Sequence, residues 1–244
     1  MRVKKRIFAG TTCDQIIYNT GRGNPKGRAR LRFKSEAERA EHRRLIARRH
    51  HAALINANYT PAGYYCTFTF SAENEVHTMD EAKRERANFR RRLSYKYKDA
   101  KIVLHIGRGK NTHRIHLHGF IEGMPAEEIE STWHGGGVIS IKPLRKNNKN
   151  AAGMNVGTDY TAVANYCFDH WTPEQGGHYY SRTNNLVMPE EEEPKEIKTE
   201  YSPEHPPKAP KGYTYVSGYT TPYGYACYHY VITPIKRKYE RRQT

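Results

Sequence analysis

His116 and His118 are the residues whose type and spacing most directly permit chemistry. They lie in the run His113-Arg114-Ile115-His116-Leu117-His118-Gly119-Phe120, whose Ile, Leu and Phe favour a β-strand. Successive side chains of a strand point to opposite faces. The two imidazoles therefore share one face, about 7 Å apart along the strand, while Leu117 points towards a core. Two imidazoles so placed can reach one divalent cation. Paired strand histidines are also ordinary surface residues, so the meaning of this pair depends on the elements around it.

The preceding strand is Lys101-Ile102-Val103-Leu104-His105-Ile106, and Gly107 to Asn111 reads as the turn. A hairpin centred near residue 110 sets His105 opposite His116 and Val103 opposite His118, although a slip of one residue would turn the face over. In that register His105 faces the same ion and is the candidate third ligand. His113 sits on or near the turn. Tyr64 to Phe70 has the aromatic and β-branched content of a buried strand. Ser35 to Glu38 is a capping box opening a basic helix to about residue 56, and Thr78 to Glu81 opens a second to about residue 95. A short helix from Ala126, a strand over Val138 to Leu144 and a polar loop over Arg145 to Gly157 follow. Thr158-Asp159 caps a helix running from Tyr160 to about Trp171. Tyr160 and Tyr166 lie about 240° apart on it and cannot share a face.

Composition narrows the partner. Lys and Arg number 41 against 25 Asp and Glu, giving a net charge of +16, and Tyr is used 19 times. Such an excess points to a polyanion, and Tyr among Lys and Arg suits stacking on unpaired bases. Cys13, Cys66, Cys167 and Cys227 form no CxxC pair, which argues against a zinc finger; Cys66 and Cys167 read as small core residues. No run of about 18 apolar residues and no secretory leader is seen, so the expectation is a cytoplasmic protein with no membrane partner. Residues 1–34 are expected as a basic N-terminal arm or a short extended pair, 35–189 as the main domain, and 190–244 as an acidic and Pro-rich linker with a Tyr-rich C-terminal β segment.

Taken in order, these pieces resemble the HUH endonuclease superfamily, and within it the rolling-circle replication initiators of bacterial plasmids and small phages. Tyr64 to Phe70 resembles the first family motif, His116-Leu117-His118 the His-hydrophobic-His motif, and Val163-Ala164-Asn165-Tyr166 the family's Val-Ala-Lys-Tyr. His178 to Pro189 resembles the Ser-Arg-containing block that follows. The resemblance covers about residues 55–190. It implies an α+β fold, a central antiparallel sheet with helices packed on its faces, which the Tyr-rich segment would complete or accompany as a satellite.

It also implies a metal-dependent nickase and strand transferase. Mg²⁺ or Mn²⁺ would be held by His116 and His118, with His105 as third ligand. Tyr166, with Tyr160 as runner-up, would attack the phosphorus of a single-stranded DNA origin carrying a stem-loop. The products would be a 5′-phosphotyrosine and a free 3′-OH for a host polymerase. Arg108, Lys110, Arg114, Lys142, Arg145 and Arg182 would hold the DNA. No GxxxxGK[ST] loop is present, so unwinding would fall to a host helicase. The chain departs from the family pattern at Asn165 and Asp169, where lysines are usual, and has no carboxylate over His105 to Arg108. Phosphate positioning would then need His170 or a Lys or Arg from elsewhere. The alternatives are a basic nucleic-acid-binding regulator on the same scaffold, or a Y1-type transposase or relaxase.

Overall fold

A computed structural model describes residues 1–21, 23–109, 111–170 and 178–233. Lys110, Trp171 and the basic end beyond residue 233 lie outside the described residues. In chain order the elements are β1 (Arg2–Ala9), β2 (Thr12–Asn19), α1 (Glu36–Asn58), β3 (Tyr64–Phe70), α2 (Met79–Lys96), β4 (Lys101–Arg108), β5 (Ile115–Glu122), α3 (Ala126–Thr132), β6 (Gly136–Pro143), β7 (Asn148–Lys149), β8 (Asn155–Gly157), α4 (Thr161–Asp169), β9 (Tyr180–Arg182), β10 (Glu190–Glu191), β11 (Lys195–Glu196), β12 (Tyr213–Thr220) and β13 (Tyr225–Ile232). The fold is α+β. None of the described helices is long and apolar enough to cross a membrane.

The central sheet has the order β6-β3-β5-β4-β9, with every pair antiparallel. Strand alternation divides its side chains. Cys66, Phe68, Leu104, Ile106, Leu117 and Ile121 face α2 and α3, where Phe89, Leu93, Ile129 and Trp133 complete one core. Val103 and Phe120 face the other way, towards Ala52 and Ile55 of α1 and Ala164 and Cys167 of α4. His116 and His118 share the parity of Phe120, so they open onto the α1–α4 side. The capping signals of α1 and α2 hold, the first as a one-sided cap, whereas α4 begins at Tyr160 with no side-chain cap hydrogen bond. Thr78 and Glu81 make the full reciprocal box, and the Ser35 side chain accepts from the Glu38 amide.

The N-terminal segment forms an extended pair and no arm over residues 2–19: β1 and β2 pair along their whole length. The reason lies in its side chains. Val3, Ile7, Cys13, Ile16 and Ile17 are all buried. Gly10 makes the tight turn at φ +57°, where an added Cβ would lie 2.1 Å from the Asn56 carbonyl oxygen. Nor does the Tyr-rich C-terminal hairpin complete the central sheet. It pairs β13 with β2, making a second sheet of order β10-β1-β2-β13-β12 with β11 also on β1. The Glu190 to Glu196 stretch thus supplies short edge strands, and Lys5 pairs with Glu191 across that edge.

Helix α1 runs between the two sheets. Ile7, Ile16, Tyr225 and Cys227 of the terminal sheet meet it through Ile46. The opposite face of that sheet is covered by the chain around Ile197, Tyr201 and Ala209. This placement explains why α1 lacks a clean apolar stripe: its last third, from His51 to Asn56, is buried all round.

A charged junction ties the layers. His229 Nδ1 lies 2.7 Å from Asp14 and its Nε2 2.9 Å from Asp159. Burial disfavours charge on this imidazole, but the hydrogen bonds to Asp14 and Asp159 outweigh it and push the pKa up to about 10. Asn56 extends the network, donating to Thr161 at 2.9 Å and accepting from the Tyr160 amide at 2.8 Å.

Candidate metal centre

The register of β4 on β5 places His105 opposite His118 and Gly107 opposite His116. The expected pairing is displaced by two residues. A two-residue slip preserves the face, so His105 points to the same side as His118. It nevertheless does not join the site. The shift moves it down the strand, beneath α1, where its Nε2 lies 2.8 Å from Nε2 of His51. Both rings are buried, between Phe168, Tyr180 and Phe120. Burial, with His51 beside it, holds the His105 imidazole well below its usual range, so it is neutral. Opposite His116 the absence of a side chain matters. A Cβ on Gly107 would come 2.5 Å from His116 Nε2, so only glycine leaves room for that ring.

His170 takes the third position. Among the described residues, His116, His118 and His170 form a group able to hold a metal ion, with one ligand nitrogen from each within 4.8 Å of the others. The sequence offered a signal for it. His170 lies four residues after Tyr166, so helical geometry sets the two on one face. It had been weighed only as a substitute for a missing lysine.

Tautomers follow from hydrogen bonds. His116 Nδ1 lies 3.3 Å from the Arg114 carbonyl and His170 Nδ1 2.8 Å from the Tyr166 carbonyl. A carbonyl can only accept, so both Nδ1 atoms carry the proton and leave Nε2 as a lone pair. His118 Nδ1 lies 2.9 Å from the Tyr65 hydroxyl and 3.2 Å from Thr67 Oγ1. These hydroxyls can accept as well as donate, and the tautomer in which His118 Nδ1 donates to them likewise frees its Nε2 for a cation. The Nε2 atoms of His116 and His118 are 2.8 Å apart. Two ligands at about 2.1 Å from one ion and about 90° apart would be about 3 Å from each other. Burial, then the neighbouring His116 and His170, bring the His118 pKa down to about 3; burial also lowers that of His116. Burial favours the neutral form of His116 and His118, whose converging Nε2 atoms suit a divalent cation. Tyr65 was not foreseen as a supporting residue. Tyr65→Phe removes the stronger anchor of His118 and is expected to weaken Mn²⁺ affinity by about 10- to 100-fold, measured by titration calorimetry.

Tyr166 borders the cluster. Its ring centroid is 4.1 Å from that of His170 and 5.7 Å from that of His118, and the side chain is 50% exposed. Tyr160 is the N-cap of α4, only 1% exposed, and packs with Val103 and Phe120 in the core. Arg108 shares the depression around Tyr166 with Arg48 and His170. Lys142 lies on edge strand β6 opposite Tyr65, on the same face as His118, and Arg145 is exposed beyond it. Arg114 is instead engaged, with Nε 2.8 Å from Glu75 and Nη2 2.9 Å from the Phe70 carbonyl. Arg182 lies on edge strand β9, where its carbonyl accepts from Arg90. At one position where lysine was expected, Asp169 binds Arg44 at 2.6 Å and Arg48 at 2.8 Å.

Neither the family models nor the curated proteins nor the solved structures contain a match to this chain.

Proposed function

We propose that the protein is a metal-dependent endonuclease and strand transferase of the HUH type, acting on single-stranded DNA to start rolling-circle replication. The observation that carries this reading is the convergence of three imidazole nitrogens beside an exposed phenol on a basic face. Tyr166 Oη attacks the phosphorus, the bond to the 3′ oxygen breaks, and the enzyme retains a 5′-phosphotyrosine while the strand keeps a free 3′-OH. Linking the strand covalently splits cleavage and rejoining into two steps of similar energy. His116, His118 and His170 would hold a cation, which would polarise the scissile phosphate and stabilise the charge that develops there. Three imidazoles with no carboxylate among them favour Mn²⁺ over Mg²⁺, which prefers oxygen.

Arg48 answers the missing lysines. Asp169 fixes its guanidinium at the edge of the depression that holds Tyr166, where it can bind the phosphate flanking the cut. Arg108, Lys142 and Arg145 extend that cationic track. Unwinding and synthesis fall to a host helicase and polymerase, and a stem-loop origin presents the strand. The second reading, a regulator that binds without cutting, draws support from Asn165 and Asp169 standing where lysines are usual.

One experiment separates them. Protein incubated with Mn²⁺ and labelled single-stranded origin DNA is expected to give a shifted band that survives SDS. His116→Ala is expected to abolish that band yet retain most of the salt-sensitive binding, because phosphate contacts dominate affinity. Binding with no adduct in the wild-type protein favours the regulator, and cleavage that persists in His116→Ala removes the metal from the mechanism.

A further inference from the structure

We propose that the cavity between α1, α4 and the terminal sheet receives one unpaired nucleobase, with guanine preferred, from the strand held at the histidine cluster. This rests on single-stranded DNA being the substrate. The cavity has a volume of about 190 Å³, which leaves room for a planar ring system. Leu45, Ala53, Tyr219 and Cys227 give it apolar walls. Asp14, His229, Arg49 and Asn165 give it polar ones, and the last two are unusual. Arg49 Nε and Nη1 and Asn165 Oδ1 are buried and have no hydrogen-bond partner among the described residues. Burying such groups unpaired is destabilising, so they are better explained by a ligand that pairs with them.

Continuity with the reaction centre supports the choice of ligand. Arg48 and Asn165 line both this cavity and the adjoining depression with Arg108, Tyr166 and His170. Asn165 and Tyr166 are consecutive on α4. A backbone phosphate at Tyr166 would therefore have a neighbouring base within reach of the cavity mouth. A lone phosphate would suit Arg49, but the apolar walls and the amide oxygen of Asn165 would oppose it. A base satisfies all three features: a flat apolar face, acceptors for a guanidinium and donors for an amide oxygen. Guanine offers O6 and N7 as acceptors and N2–H as donor, and arginine with guanine is the commonest specific pairing. Enzymes that work on nucleic acid commonly draw a base into such a pocket.

The test uses full-length protein carrying Tyr166→Phe, so that binding is read without turnover. Fluorescence anisotropy compares a labelled oligothymidylate of about 15 nucleotides with versions bearing one central guanine, adenine or cytosine. The guanine version is expected to bind about tenfold tighter than the parent. That preference is expected to vanish in Arg49→Met and in Ala53→Leu, which fills the cavity, while binding to the parent oligonucleotide persists. The two substitutions act on different walls, so the result stands if one of them fails to fold. Equal affinity for all four strands, a preference for another base, or a guanine preference that survives the substitutions would overturn the pocket alone. Failure to bind any single strand would overturn both the pocket and DNA as the substrate.

Discussion

Tyr166→Phe is expected to eliminate the SDS-resistant DNA adduct, with a loss of on the order of 10³-fold or more. Among the described residues that line the depression, no other carries a hydroxyl that could form the ester bond. The substitution removes one oxygen from a half-exposed side chain, so folding and metal binding should be untouched. Tyr160→Phe is the matched control. Its hydroxyl is buried without a hydrogen-bond partner among the described residues, so removing it should leave both stability and adduct formation close to wild type. Peptide mapping of the adduct by mass spectrometry checks the assignment. Modification of Tyr160, or of any tyrosine other than Tyr166, would show that a different phenol reacts.

The second large effect concerns stability. His229→Ala would leave Asp14 and Asp159 facing each other across a buried gap, and removing one partner of a buried ionic network costs about 3–5 kcal/mol. The same junction sets a pH dependence. The His229 pKa is raised in the folded protein from about 6.5 to about 10, so its contribution is complete below about pH 6.5 and declines as the pH rises towards 10. The Asp159 pKa is lowered in the folded protein. Burial alone would raise it, but hydrogen bonds to His229 and Thr161 prevail, so its contribution is lost as acid protonates it below about pH 4. Thermal unfolding should therefore show the wild type losing stability between pH 6.5 and pH 10 relative to His229→Gln. Parallel curves for the two proteins over that range would refute a charged His229.

Much of the central sheet was legible because its signals are local. The strand at Tyr64 to Phe70, the two capped helices and the shared face of His116 and His118 follow from alternation and capping alone. The third ligand was not, because it depends on register and on an approach between distant elements. A hairpin displaced by two residues keeps His105 on the predicted face but carries it under α1. His170 reaches the site only because α4 packs across β4 and β5. The N-terminal hairpin was hidden for a different reason. Its buried Val3 and Ile7 stand among lysines and arginines that dominate a charge reading, and its strand partner, β13, lies more than two hundred residues away.

That pairing has a consequence for how the molecule is made. The edge of β2 has no neighbour until β13 leaves the ribosome, so a growing chain carries an open strand through most of its synthesis. Contacts of such long range slow folding, and the half that carries the histidine cluster, built from nearer neighbours, can form first. The cluster would then be assembled before α1 is clasped from both sides, and β13 would be the strand that locks it.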